Sequence, residues 1–195
     1  MAKTVLVLLG AYLLGSIPVA YLLVKSFYGR DIRRIGSHNV GAMNVARNLS
    51  FGLGLLTVLL DALKGVLAVV PAKYWAGSGI ALALAPVLVI SGDIWPAFLA
   101  FRGGKGLAVA AGTLLIIDGG ILFWVLLVLG IMFLLTNNAT ISVMAGCALL
   151  PFLCWWQLGG FGWFFFGIII ALPIMAKQLR LFEAKRAQFP RFLNH

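Results

Sequence analysis

Arg102-Gly103-Gly104-Lys105-Gly106 stands between the apolar runs 79–101 and 107–117, in a chain of mean hydropathy +1.07. Three glycines and two cations interrupt a membrane-like sequence at one point. Glycine lets backbone amides approach a ligand closely and point together. Lys105 and Arg102 add fixed positive charge, and a helix-forming run, Leu107-Ala108-Val109-Ala110-Ala111, follows at once. A glycine turn that carries a lysine and opens a helix is a phosphate-binding arrangement. The alternative is a tight turn between helices with snorkelling cations. It is not a Walker A loop, because Gly-x-x-x-x-Gly-Lys-Ser/Thr is not met.

Composition sets the class. Of 195 residues, 63% are hydrophobic and 10% charged, against roughly 25% charged in a soluble domain. The expectation is an all-α, polytopic membrane helix bundle forming a single integral-membrane domain over 1–195, with no separate soluble part. The net charge is +10, from 15 Lys and Arg against 5 Asp and Glu. In a soluble protein that balance points to nucleic acid. Here the cations flank apolar runs, so membrane sidedness and anionic head groups account for most of them. Anionic substrates also fit, and no nucleic-acid motif is visible. Cys147 and Cys154 lie seven residues apart in one apolar run. On a helix that is about 10 Å of rise, too far for a disulfide, so both read as packing residues. Lys3 followed by 5–14 resembles a signal peptide, but no small-x-small site closes it and the run continues to Val24. A retained first membrane helix is expected.

Outward from the glycine turn, the first apolar run, 4–27, is broken by Gly15, Ser16 and Pro18, whose freed backbone groups need neighbouring protein. The stretch 30–48 follows, with Arg30, Arg33, Arg34 and Arg47 among Ser37, His38, Asn39, Asn44 and Asn48. These hydroxyl, amide and guanidinium donors grip phosphate; a basic juxtamembrane loop with capping residues is the plainer reading. In the run 53–70, Asp61 and Lys64 are three apart and share a helix face. Ionisable groups inside a span face the protein and pair. They form either a structural ion pair or a lysine near an anionic substrate held by its aspartate. Asp93 lies at the edge of the run 79–101. The runs 107–117, 121–135, 141–158 and 163–175 complete the chain, with a polar uncharged break at 136–140. Gly112 favours close helix packing.

Alternating sides puts Lys25, Arg30, Arg33, Arg34, Arg47, Arg102, Lys105 and the tail cations Lys177, Arg180, Lys185, Arg186 and Arg191 on one face, with Lys3 and Lys73 on the other. The first face is therefore cytoplasmic. About seven transmembrane helices put the N-terminus outside and the C-terminus in the cytoplasm; a re-entrant 107–117 is the alternative. The loops 30–48, 102–106 and 136–140 then share the cytoplasmic face.

The chain resembles the bacterial acyl-phosphate:glycerol-3-phosphate acyltransferases of the PlsY type. The resemblance rests on Ala11-Tyr12-Leu13-Leu14-Gly15-Ser16-Ile17-Pro18; on Asp31-Ile32-Arg33 with Gly36 to Asn44 and Arg47; on Asp61-Ala62-Leu63-Lys64-Gly65; and on Trp95-Pro96 with Phe101 to Gly106. Order and spacing match over about 8–112. The resemblance implies acyl transfer from acyl phosphate to the 1-hydroxyl of sn-glycerol 3-phosphate in a bacterial inner membrane, giving lysophosphatidate and phosphate. It implies no metal or other cofactor, membrane lipids around a possible monomer, and no nucleic acid. Ser37, Lys105 and Arg47 become the expected catalytic residues. Asn39, Asn44, Lys64, Arg33, Arg102, Gly103, Gly104 and Gly106 become the expected substrate and phosphate ligands. This chain departs from the family pattern at His38 and Asp93, where glycine and histidine are usual, and at Met43, where threonine is usual. The segment before Arg180-Leu181 lacks the family's histidine. A divergent paralogue with another acceptor, or a small transporter or lipid-binding protein for an anionic phosphate, are the competing readings.

Overall fold

The computed structural model describes residues 1–188, with side chains to Glu183. The tail cations Lys185, Arg186 and Arg191 lie outside the described side chains. Among the described residues all regular structure is helical. The first apolar run forms α1 (Ala2–Ser16) and α2 (Val19–Tyr28). Pro18 has no amide to give, so the ladder fails there. The Ile17 amide turns to Leu14 O and the Val19 amide to Ile17 O, which leaves Gly15 O without its helical donor. A short helix, α3 (Ala42–Asn48), precedes α4 (Phe51–Tyr74), whose start Ser50 caps by accepting from the Leu53 amide. Then come α5 (Gly79–Ile94), α6 (Leu107–Ile117), α7 (Gly119–Thr136), α8 (Ala139–Leu158) and α9 (Gly162–Gln188).

Among the described residues, six helical segments are long and apolar enough to cross a membrane, counting α1 and α2 together. The seventh expected span, α6, has 11 residues. At 1.5 Å of rise each, that is about half of a ~30 Å hydrocarbon core. The reason is visible in its packing. α6 starts beside the middle of α4 and ends where Lys73 Nζ donates to Ile116 O. The glycine turn that precedes α6 is thus recessed into the bundle.

The chain divides into two compact units, 1–119 and 120–195. In the first, α1 packs on α5 and α4 on α6, with further contacts of α4 to α1, α3 and α5. Both main crossings are glycine seams. A Cβ at Gly15 would strike Val89 O and one at Gly92 would strike Tyr12 O; one at Gly65 would strike Val109 O and one at Gly112 would strike Ala62 O. Small residues let backbones approach this closely in lipid, where there is no hydrophobic drive between helices. Gly112 acts as expected. Under the 30–48 loop, Val24, Ile32, Val40, Val45 and Leu99 form a buried apolar cluster.

In the second unit α8 packs along α9. Cys147 and Cys154 are buried on α8 and not joined in a disulfide, as packing residues should be. Helix α7 is apolar all round and has Ile121 as its one buried residue, the surface expected of a helix facing lipid. The 136–140 break caps α8: Asn138 Oδ1 accepts from the Thr140 and Ile141 amides.

Candidate active site

The first unit holds its charge in one buried cluster. Lys64, 4% exposed, sends Nζ to Asp93 Oδ1 at 2.8 Å and to Asp61 Oδ1 at 2.9 Å. The same Nζ donates to Gly15 O at 3.2 Å and Ile17 O at 3.0 Å. These are carbonyls at the α1–α2 break, and the Gly15 carbonyl is the one left open when the Val19 amide turns to Ile17 O. An ammonium has three protons, and four acceptors surround it. Asp61 is the partner left out of line: its Oδ1 is ion-paired but makes no hydrogen bond. The expected pairing of Asp61 with Lys64 inside the bundle holds. Lys64, expected as a substrate ligand, directs its protons here to Asp93 and to the two carbonyls of the broken helix, with Asp61 beside it as a second counter-charge.

Asp93 also reaches the glycine turn. Its Oδ2 accepts from the Gly106 amide at 3.2 Å. Its backbone carbonyl accepts from Gly104 N at 2.9 Å, and Ile94 O accepts from Gly103 N at 3.1 Å. The turn was expected to aim these amides at a phosphate, and the structure corrects that. All three donate to acceptors within the protein, and the anion at the start of α6 is Asp93 itself. The glycines are required for other reasons. Gly106 has φ +74, a conformation other residues adopt at a cost. A Cβ on Gly103 would strike Asp93 O, and one on Gly104 would lie 2.9 Å from Asp93 Oδ2 and 3.0 Å from Val40 O. Gly103, Gly104 and Gly106 are therefore buried packing residues of the turn. Arg102 is exposed and Lys105 half-buried on the same turn.

Val40 brings the 30–48 loop onto the turn, and Asn44 holds that loop in shape. Buried, it accepts on Oδ1 from Ser37 N at 3.1 Å and Asn48 Nδ2 at 2.9 Å. Its Nδ2 donates to Ile35 O at 2.9 Å and Asn39 O at 3.0 Å. The expected phosphate ligand is thus the loop's organiser, with both ends of its amide turned inward. Asn44→Ala should lower the melting temperature by several degrees and cut turnover sharply, since each buried carbonyl left without a donor costs about 1–3 kcal/mol. Unchanged melting in a thermal scan would refute that role.

Arg33 is likewise engaged. Its Nε and Nη2 form a two-toothed pair with Asp31, Nη2 to Oδ2 at 2.7 Å, and its guanidinium lies over the Tyr21 ring at 5.2 Å. The Arg33 hydrogen bond holds the Asp31 carboxyl below the usual carboxylate range. That edge of Arg33 grips Asp31 rather than a ligand. His38 adopts φ +59, a left-handed conformation that glycine takes without cost and other residues do not. Its Nδ1 lies 2.9 Å from Arg33 O, so the ring donates to a carbonyl and partly offsets the strained backbone. Ser37 and Arg47 are exposed and Asn39 half-exposed on this loop.

A small cleft, with an open volume of about 10 Å³, lies where these elements meet. Pro18, Val40, Gly103 and Gly104 line it, and Asp61 and Asp93 are its charged lining. Sequence reasoning noted Asp93 only as an edge carboxylate. Its partner Lys64 lies 29 positions away on another helix, a separation no local pattern reports. The signal available was an acid at the edge of an apolar run, which needs a partner inside the protein.

Comparisons with known proteins agree with this architecture. A family model described as glycerol-3-phosphate acyltransferase matches residues 5–184. Glycerol-3-phosphate acyltransferase 2 of Moorella thermoacetica is 41% identical over 76% of each chain. The Prochlorococcus marinus (strain MIT 9301) glycerol-3-phosphate acyltransferase is 34% identical over 89% of each. The Desulforamulus reducens protein of that name is 44% identical over 52% of this chain, and the match spans half of its own length. A crystal structure of PlsY (YgiH), an integral membrane glycerol 3-phosphate acyltransferase in its lysophosphatidic acid form, superposes with a TM-score of 0.78 at 27% identity, covering 98% of this chain and 92% of the other.

Proposed function

The chain belongs to the glycerol-3-phosphate acyltransferase family, and from that membership we propose that it moves a fatty acyl group from acyl phosphate to the 1-hydroxyl of sn-glycerol 3-phosphate. The products are lysophosphatidate and inorganic phosphate. The hydroxyl oxygen attacks the acyl carbonyl carbon, the bond from that carbon to the phosphate oxygen breaks, and the departing phosphate takes the hydroxyl proton. No protein nucleophile is needed, so catalysis is positioning and charge stabilisation. The observation that carries this reading is the meeting of the two cation-bearing loops at Val40 and Gly104.

Because the turn's amides are committed internally, side chains supply the grip. Lys105 stabilises the leaving phosphate, with Arg102 beside it on the turn. Ser37, Asn39 and Arg47 close over the phosphates from the other loop. The protein is a multi-pass integral membrane protein. We place it in the bacterial inner membrane as a monomer, with the N-terminus outside, seven crossings and a cytoplasmic C-terminus. The cation asymmetry and the recessed turn ahead of α6 support the crossings. Labelling of a cysteine at position 38 from outside intact cells would overturn that sidedness.

The deciding assay is phosphate release from palmitoyl phosphate by detergent-purified protein. Release that depends on glycerol 3-phosphate, with lysophosphatidate formed in equal amount, is the expected result. Release with neither acceptor dependence nor product sinks the reading.

A further inference from the structure

We propose that Asp93 is a positioning residue of the acyl transfer: it ties the glycine turn to Lys64 and so fixes where Lys105 stands. The proposal rests on the acyl-transfer reading above. Asp93 occupies the end of α5 and makes three contacts that converge. One carboxylate oxygen takes Lys64 at 2.8 Å, the other takes the Gly106 amide at 3.2 Å, and its backbone carbonyl takes Gly104 N at 2.9 Å. Lys105 is the residue between those two glycines. Its backbone is therefore held on both sides by one aspartate.

The other end of the tie is equally firm. Lys64 is anchored to Asp61 on its own helix and to the Gly15 and Ile17 carbonyls of the α1–α2 break. A chain of contacts therefore runs from the broken first helix, through a buried lysine, to the turn that carries the proposed catalytic cation. Placement at this precision matters, because an ångström of misplacement of a reacting group costs about a hundredfold. Asp93 contributes by geometry and not by contact with the substrate. A second carboxylate would be a poor neighbour for a phosphate. Here Lys64 balances one of the two acids and the Gly106 amide faces the other oxygen of Asp93.

Two variants separate geometry from charge. Asp93→Ala removes the acceptor for Gly106, and should lower kcat about a hundredfold with a smaller change in KM for glycerol 3-phosphate. Asp93→Asn keeps one side-chain acceptor, enough for the Gly106 amide but not for Lys64 as well, and should fall between the parent and the Ala variant. In a Lys105→Ala background Asp93→Ala should cost little more, because its effect travels through Lys105. A residue with a merely structural role would instead show the same fold-loss in both backgrounds, and that result overturns the proposal. So does an Asn variant as slow as the Ala variant.

A reading that needs no turnover keeps this apart from the function itself. A cysteine placed at position 105 should react with a maleimide about tenfold faster when Asp93 is Ala, and at a rate between that and the parent's when it is Asn. Equal rates in all three backgrounds refute the tie whatever the enzyme's activity. Where Asp93→Ala does not fold, an Asn variant that is folded, with lowered kcat and faster labelling than the parent, supports the proposal; one that is folded with parental kcat and parental labelling overturns it.

Discussion

Lys64→Met should give a protein that reaches the membrane poorly and melts far below the parent. The substitution keeps length and apolar stem and removes only the charge. Lys64 is 4% exposed, so the change happens away from water. Two carboxylates, Asp61 at 2.9 Å and Asp93 at 2.8 Å, lose their shared cation. Breaking a buried ion pair from one side costs about 3–5 kcal/mol, because a charge is left uncompensated. The carbonyls of Gly15 and Ile17 lose their donor as well, at about 1–3 kcal/mol for a buried group. Set against the roughly 5–15 kcal/mol that holds a typical domain together, the sum removes most of the stability. The cause can be tested by removing the acids too. Lys64→Met combined with Asp61→Asn and Asp93→Asn should recover much of the lost melting temperature. A triple variant as unstable as the single one would show that the lysine matters for packing and not for charge.

The same cluster shows what could be read from the chain alone. Asp61 and Lys64 were legible as a pair because three positions on a helix bring two side chains to one face. The break at Gly15-Ser16-Ile17-Pro18 was legible as a place where carbonyls need help. That the help comes from Lys64 was not, since nothing local links α1 to the middle of α4. Asn44 misled for a related reason. An asparagine in a polar loop offers the same donors whether it faces a ligand or its own backbone, and only the folded loop decides. The glycine turn misled most usefully. Its composition correctly marked close backbone approach, but the partners are Asp93 O, Ile94 O and Val40 O rather than a phosphate. The length of α6 could be counted, yet its recessed start depends on the Gly65 and Gly112 seam with α4.

Lys105→Ala should leave the fold intact and nearly abolish acyl transfer. The turn that carries Lys105 is fixed by main-chain hydrogen bonds at Gly103, Gly104 and Gly106, none of which uses the lysine side chain. Melting should therefore shift little. Catalysis has no such reserve. With the three glycine amides donated to Ile94 and Asp93, the leaving phosphate depends on side-chain charge. Its charge grows as the carbon–oxygen bond to the acyl group breaks, so an ammonium at the turn binds the transition state more tightly than the ground state. Losing one such contact typically costs about 3–4 kcal/mol, roughly a hundred- to a thousandfold in rate. Lys105→Arg should recover little. A forked guanidinium is bulkier than an ammonium and presents its charge in a different geometry. A turn that merely lets its cations snorkel to the head groups predicts near-normal turnover for both variants. Turnover of the detergent-purified variants, read beside a melting curve for each, decides between the two: full activity in a folded Lys105→Ala protein would remove Lys105 from the mechanism.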